Sequence, residues 1–227
     1  MHVEQGDMME QEMRQWYRKT RVDIALKNFR KNLFAAHYME NSQDALALIM
    51  SMIPKEATIG LGDSLTLKEM GALRVLEEGG YHFLNPWRKG ISREESLALR
   101  RQALTSDIFL TGTNAVTMDG KLVSIDGLGN RVAAMIFGPR KVIVVAGINK
   151  IAEDVEEAIR RIKNLAAPLN SRKHNLPADF RPPCSDSGFC SECKPPHRLC
   201  CNTVIIEGCS RDKERITVVI VGEELGY

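Results

Sequence analysis

From residue 57 to residue 150 one unit keeps returning: a short apolar run, a loop of small and polar residues, then a stretch with helical periodicity. The apolar runs are Ala57 to Leu61, Tyr81 to Leu84, Asp107 to Thr111 and Lys141 to Ala146. A helix between two strands carries the chain back across the sheet, so successive strands run the same way. The expected fold is α/β, a mainly parallel sheet with helices on both faces. Between the third and fourth runs, Val116 to Ser124 reads as a hairpin around Asp119-Gly120, the pair favoured in a two-residue type I′ turn.

The flanks differ. Residues 1–54 read as an N-terminal helical segment packing on the core. A helix is expected over 7–38, N-capped by Asp7, with apolar positions Met9, Met13 and Trp16 and then Val22, Leu26, Phe29 and Leu33. Arg14, Arg18, Lys19, Arg21, Lys27, Arg30 and Lys31 lie among them. Such a basic amphipathic helix suits a membrane surface or an acidic partner; the plainer reading is a solvated face on a packed helix. A second helix over 43–52 is capped by Ser42 and stopped by Pro54. Residues 55–227 read as the α/β domain, with a helix over 151–164 and closing strands at 203–206 and 216–221. Residues 175–202, rich in Pro and Cys and without periodicity, form an insertion before those strands.

Lys and Arg number 31 and Asp and Glu 29, so the net charge of +2 offers little to nucleic acid. No run of 18 apolar residues exists, so no membrane span is expected. The start of the chain (Glu4, Asp7, Glu10, Glu12) is acidic and unlike a secretory signal, which sets a cytoplasmic expectation.

In parallel sheets, ligands sit beyond the carboxyl ends of the strands. There this chain places Gly60-Leu61-Gly62-Asp63-Ser64, Asn85-Pro86-Trp87-Arg88, Gly112-Thr113-Asn114, Asp126-Gly127-Leu128-Gly129-Asn130-Arg131 and Gly147-Ile148-Asn149-Lys150. Any one of these loops is a turn doing turn work. Five on one edge point to an anion site, built from close backbone N–H groups, helix N-termini near Ser64, Asn130 and Lys150, and the charges of Arg131 and Lys150. The expected binding residues are Gly62, Asp63, Ser64, Thr113, Asn114, Gly129, Asn130, Arg131, Asn149 and Lys150, with a small carboxylate or phosphate as guest. Asp63 and Asp126 are the candidate catalytic carboxylates; in the plainer reading Asp63 caps a helix, and Asp119 is a turn residue.

All six cysteines follow residue 183. A secreted disulfide scaffold would be small and stapled throughout, so the cluster reads as a metal or redox segment. Cys184, Cys190, Cys193 and Cys200 are the expected ligands, with Cys201 competing for the last place. One close pair and two spread ligands favour an iron–sulfur cluster, [4Fe–4S], with zinc as the alternative. Reduced structural thiols are the plain reading.

The ordered run Gly112-Thr113-Asn114-Ala115-Val116-Thr117, Asp119-Gly120-Lys121-Leu122-Val123, Asp126-Gly127-Leu128-Gly129-Asn130-Arg131-Val132-Ala133, Phe137-Gly138-Pro139 and Gly147-Ile148-Asn149-Lys150, with the earlier Gly-Leu-Gly-Asp-Ser, resembles the LUD (lactate utilization domain) family over about residues 10–225. Cys190-Ser191-Glu192-Cys193-Lys194 and Arg198-Leu199-Cys200 resemble the cysteine motif of one of its subgroups. The resemblance implies a fold similar to the sugar-phosphate isomerase and CoA-transferase type. It implies a part in oxidation of L-lactate or a related 2-hydroxy acid, as a small-subunit-type component of an iron–sulfur oxidoreductase alongside other lactate-utilization subunits. A homo-oligomer is left open. Two other readings stand beside it: a metal-stapled regulatory or assembly subunit without chemistry, and an isomerase or transferase of a phosphorylated or CoA-linked acid.

Overall fold

Helix α1 (His2–Lys31) ends on a turn that the apolar periodicity hides. The computed structural model describes residues 2–227, with side chains from Met9 onward. Asp7, expected as the N-cap, lies within α1, and its side chain falls outside the described residues. Met9, Met13 and Trp16 are exposed, and packing begins at Val22. Leu33 continues the spacing of Leu26 and Phe29 but has φ 63°. Its N–H bonds the Arg30 carbonyl (3.1 Å), while that of Phe34 bonds Phe29 (3.1 Å). This is a Schellman stop, sealed by the Phe29 and Phe34 rings meeting edge to face at 5.3 Å. The chain then enters strand β1 (Ala35–Met39), so the helix expected to reach residue 38 stops at 31.

Helix α2 (Ser42–Ser51) is capped by Asn41, whose side chain accepts from the Asp44 N–H, and not by Ser42. The expected alternation follows: β2 (Ile59–Leu61), α3 (Leu65–Glu69), α4 (Ala72–Glu78), β3 (Phe83–Leu84), α5 (Arg93–Gln102) with its Ser92–Glu95 capping box, and β4 (Ile108–Gly112). The hairpin is β5 (Ala115–Thr117) and β6 (Leu122–Asp126). Its loop is Met118-Asp119-Gly120, closed by Thr117 N–H to Lys121 O (3.0 Å). Of these three only Gly120 has positive φ, so the turn is a three-residue loop with a left-handed glycine and not type I′.

After α6 (Asn130–Ile136) and β7 (Lys141–Gly147) the expected helix over 151–164 is replaced. Ile151–Ala152 form β8, Asp154 caps α7 (Val155–Arg161), and a π-helical stretch, Ile162–Ala166, leads into α8 (Ala167–His174). A short helix α9 (Cys184–Ser187) sits in the cysteine segment, before β9 (Asn202–Ile206) and β10 (Ile216–Val221).

Six strands make a wholly parallel sheet in the order β1-β10-β7-β4-β2-β3. Its side chains alternate between two cores. Phe109, Val142, Val144, Val218 and Ile220 pack on α1 and α6, while Leu110, Ile143, Val145, Val219 and Val221 pack on α2, α3 and α4. Each such side chain, fully buried, contributes about 1.5–3 kcal/mol. The two strands expected to close one sheet part company. β10 enters the middle of the parallel sheet, and β9 joins a second sheet, β8-β5-β6-β9. That sheet packs on α7 through Ala115, Val123, Ile125 and Ala158.

Candidate functional site

The C-terminal ends of β2, β4, β6 and β7 open on one cavity of about 240 Å³. Asp63 and Ser64 reach it after β2, Thr113 and Asn114 after β4, Asn130 and Arg131 on α6, and Lys150 in the turn after β7. Gly62, Gly129 and Asn149 do not line it; they shape its walls. Gly62 lies tight against Thr111, and Gly129 (φ 90°) precedes α6 with its N–H on Asp126 Oδ1 (2.7 Å). Asn149 pins the end of the chain by accepting from Leu225 N–H (3.1 Å) and donating to Gly226 O (3.0 Å). No helix begins at Lys150: α7 starts at Val155.

Arg131 is buried and fully engaged by protein. Nε donates to Asp126 Oδ2 (3.0 Å), Nη1 to Ser124 Oγ (3.1 Å) and Gly112 O (3.3 Å), and Nη2 to Asn114 Oδ1 (3.0 Å) and Ile125 O (3.1 Å). Those five contacts match the five N–H groups of a guanidinium. Arg131 therefore ties β4, β6 and α6 together, and Asp126 is its counter-ion. Asp63 is less engaged: its buried Oδ1 has no hydrogen-bond partner, and the ammonium groups of Lys68 and Lys173 stand 3.8 Å away.

Lys150 is the other buried cation. It donates to Thr66 Oγ1 (2.8 Å) and Thr113 O (3.2 Å). Burial, then the neighbouring Arg161 and Arg131, hold its ammonium down to about 7, with Glu69 opposing. Arg161 donates to Asn149 O (3.0 Å) and Asn114 O (2.7 Å), and its Nη2 is buried without a partner.

Sequence reasoning missed one wall. Asn170, Ser171, Lys173 and His174 come from α8, Arg100 from α5 stacks over Trp87 (5.2 Å), and Tyr227 enters from the chain end. Burial holds His174 below its usual value. Pro168 hid α8, since a proline inside a helical pattern reads as a stop; here the π-helical turn just before it lets the helix continue.

A second, smaller cavity of about 30 Å³ adjoins this wall, and Cys184, Cys190, Cys193 and Cys200 all line it. Cys200 borders both cavities. Cys201 is exposed and lines neither; its N–H bonds Asp126 O (3.0 Å) as β9 begins. Arg198 braces the loop by donating to Cys193 O (2.9 Å) and Cys200 O (2.7 Å). Burial pushes the Cys200 thiol up to about 11, and its three neighbouring thiols add to the effect.

A profile of the LUD domain matches residues 22–221. The chain belongs to the LUD-domain family. Membership supports a lactate-utilization-type role in general. No curated protein matches the chain. Among solved structures, a DUF162-family protein from Deinococcus radiodurans is similar at 14% identity, over 90% of this chain and 97% of that one, with TM-score 0.52. That likeness concerns the fold, which is the mainly parallel α/β type expected. Partial likenesses extend to eIF2B delta from Chaetomium thermophilum (20% identity, 53% of this chain and 50% of that one, TM-score 0.35) and ribose 5-phosphate isomerase A from Neisseria gonorrhoeae (15%, 50% and 54%, 0.33).

The LUD-domain cysteine segment suits a thiolate-bound group in its donor chemistry. Among the described residues, no three His, Cys, Asp or Glu stand as close together as a single metal ion requires. The cavity that the four cysteines line also takes in Lys163, Ser171, Pro182 and Arg198. Among the described residues no helix is long and apolar enough to cross a membrane.

Proposed function

We propose that the rim cavity binds a small 2-hydroxy or 2-oxo carboxylate, such as lactate or pyruvate, and that the chain takes part in its oxidation. The observation that carries this reading is Cys200, which borders both the rim cavity and the cysteine cavity. A redox group held by Cys184, Cys190, Cys193 and Cys200 would sit beside the bound acid, where an iron–sulfur cluster supplies one-electron transfer. Lys173 and Asn130 line the cavity and are suited to hold the carboxylate, and Asp63 Oδ1 offers an acceptor for a substrate hydroxyl. Arg131 takes no direct part, because its donors are engaged. Other lactate-utilization subunits would supply or accept the electrons.

Calorimetry on anaerobically purified protein, with L-lactate, pyruvate and inorganic phosphate, tests this. Saturable binding of either carboxylate, weakened at least tenfold in Lys173→Ala, is expected. Binding of phosphate alone would shift the reading to an isomerase or transferase, and a colourless protein with stoichiometric zinc would make the cysteine segment a staple.

A further inference from the structure

Lys150 is 5% exposed, and among the described residues no carboxylate stands within ion-pair distance of it. Both of its polar contacts are acceptors. Thr66 Oγ1 gives its own hydrogen to the Leu225 carbonyl (3.2 Å), so toward Lys150 it can only accept (2.8 Å). The Thr113 carbonyl (3.2 Å) accepts as well. A neutral amine has two N–H groups and one lone pair. The two acceptors take both N–H groups, which leaves the lone pair for the cavity that Lys150 lines. Gly226 packs closely on this pair: a Cβ there would lie 3.2 Å from Nζ and 2.7 Å from Thr66 Oγ1.

We propose that Lys150 is a nucleophile that condenses with the carbonyl of a small 2-oxo acid to form an imine inside the cavity. This rests on the carboxylate-binding reading above and extends it from binding to covalent capture. The amine adds to the carbonyl carbon, a proton passes from nitrogen to oxygen, and water leaves as the C=N bond forms. No electrons change hands, so the keto acid is the only reactant required. Desolvated lysines beside other cations take this role because their amines stay neutral near pH 7. The groups facing Lys150 fit that description: burial is the largest effect against the ammonium, Arg161 on α7 and Arg131 on α6 add to it, and Glu69 on α3 opposes them.

The test is reductive trapping. The 227-residue chain is incubated with pyruvate and cyanoborohydride between pH 6 and 9, and intact mass and peptide mapping locate the product. The expected result is one reduced pyruvate per chain on Lys150, with a yield that rises several-fold from pH 6 to pH 8 and is lost in Lys150→Arg. Peptide mapping of the unmodified sequence gives the answer even where that variant does not fold. Pyruvate binding by calorimetry without an adduct, or with adducts only on surface lysines, overturns the imine and leaves the binding reading standing. Neither binding nor adduct overturns both.

Discussion

At the residue scale, the two buried cations of the rim do different work. Arg131 has five acceptors, its counter-ion Asp126 among them, so it is a brace. Breaking a buried pair leaves an uncompensated carboxylate and costs about 3–5 kcal/mol. Arg131→Ala should lose stability on that scale in urea denaturation, and Arg131→Lys should rescue little, because an ammonium cannot reach five acceptors. A change below about 1 kcal/mol would mean the network is not what holds the strands together. Lys150 has the opposite character. Its folded-state value is about 7 and an unfolded lysine titrates near about 10.4. Below pH 7 both states carry the proton, and the folded state bears the full cost of burying it. Between about 7 and 10.4 the unfolded chain alone holds the proton, so stability rises with pH, by at most about 1.4 kcal/mol per unit. Lys150→Met should therefore be more stable than the parent at pH 6.5, with a gap that narrows by pH 9. A gap independent of pH would place the ammonium in solvent. The sequence marked both residues as charges on a rim. It could not separate them, because the difference lies in acceptors contributed by Gly112, Ser124, Thr66 and Thr113, distant in sequence from one or both.

At the element scale, the strand–helix alternation was legible because the apolar runs of β2, β4 and β7 are buried on both faces, and the errors sit where a contact overrides a local pattern. Leu33 fits the helical stripe, yet the Phe29–Phe34 contact and β1 pairing with β10 turn the chain there. The hairpin was legible from Asp119-Gly120, but its turn type was set by its seat on α1. Asn28 Nδ2 donates to Met118 O (2.8 Å), and Asn32 Nδ2 donates to Asp119 O (3.0 Å) and Gly120 O (2.9 Å). A Cβ at Gly120 would lie 2.5 Å from the Asn28 carbonyl carbon and 2.6 Å from the Phe29 nitrogen, at φ 83°. Backbone cannot yield as a flexible side chain does. Gly120→Ala should thus cost at least about 2 kcal/mol, combining the left-handed strain with lost helix–hairpin packing. Thermal unfolding measures this, and an unchanged midpoint would show that the hairpin does not rest on α1.

At the scale of the whole molecule, the fold folds the cysteine segment back onto the rim. β9 pairs with β6, with Asn202 opposite Asp126, and α9 packs on α8. This carries Cys200 to the edge of the rim cavity and turns Cys201 outward. In anaerobically purified protein, Cys184→Ser, Cys190→Ser, Cys193→Ser and Cys200→Ser should each lower bound iron or zinc several-fold by elemental analysis, while Cys201→Ser and Cys209→Ser should not. Loss of metal in Cys201→Ser with retention in Cys200→Ser would reverse the assignment. The sequence by itself determined the fold class, the alternation of strands and helices, the loops that meet at the rim and the thiols grouped in one segment. These follow from periodicity and turn chemistry, which are local. Only the tertiary structure decided that β10 lies inside the sheet, that α8 forms a wall of the cavity, that Arg131 is a brace and Lys150 an uncompensated amine, and which of two adjacent cysteines faces inward. Each of those depends on partners far along the chain, and no local pattern encodes which partner arrives.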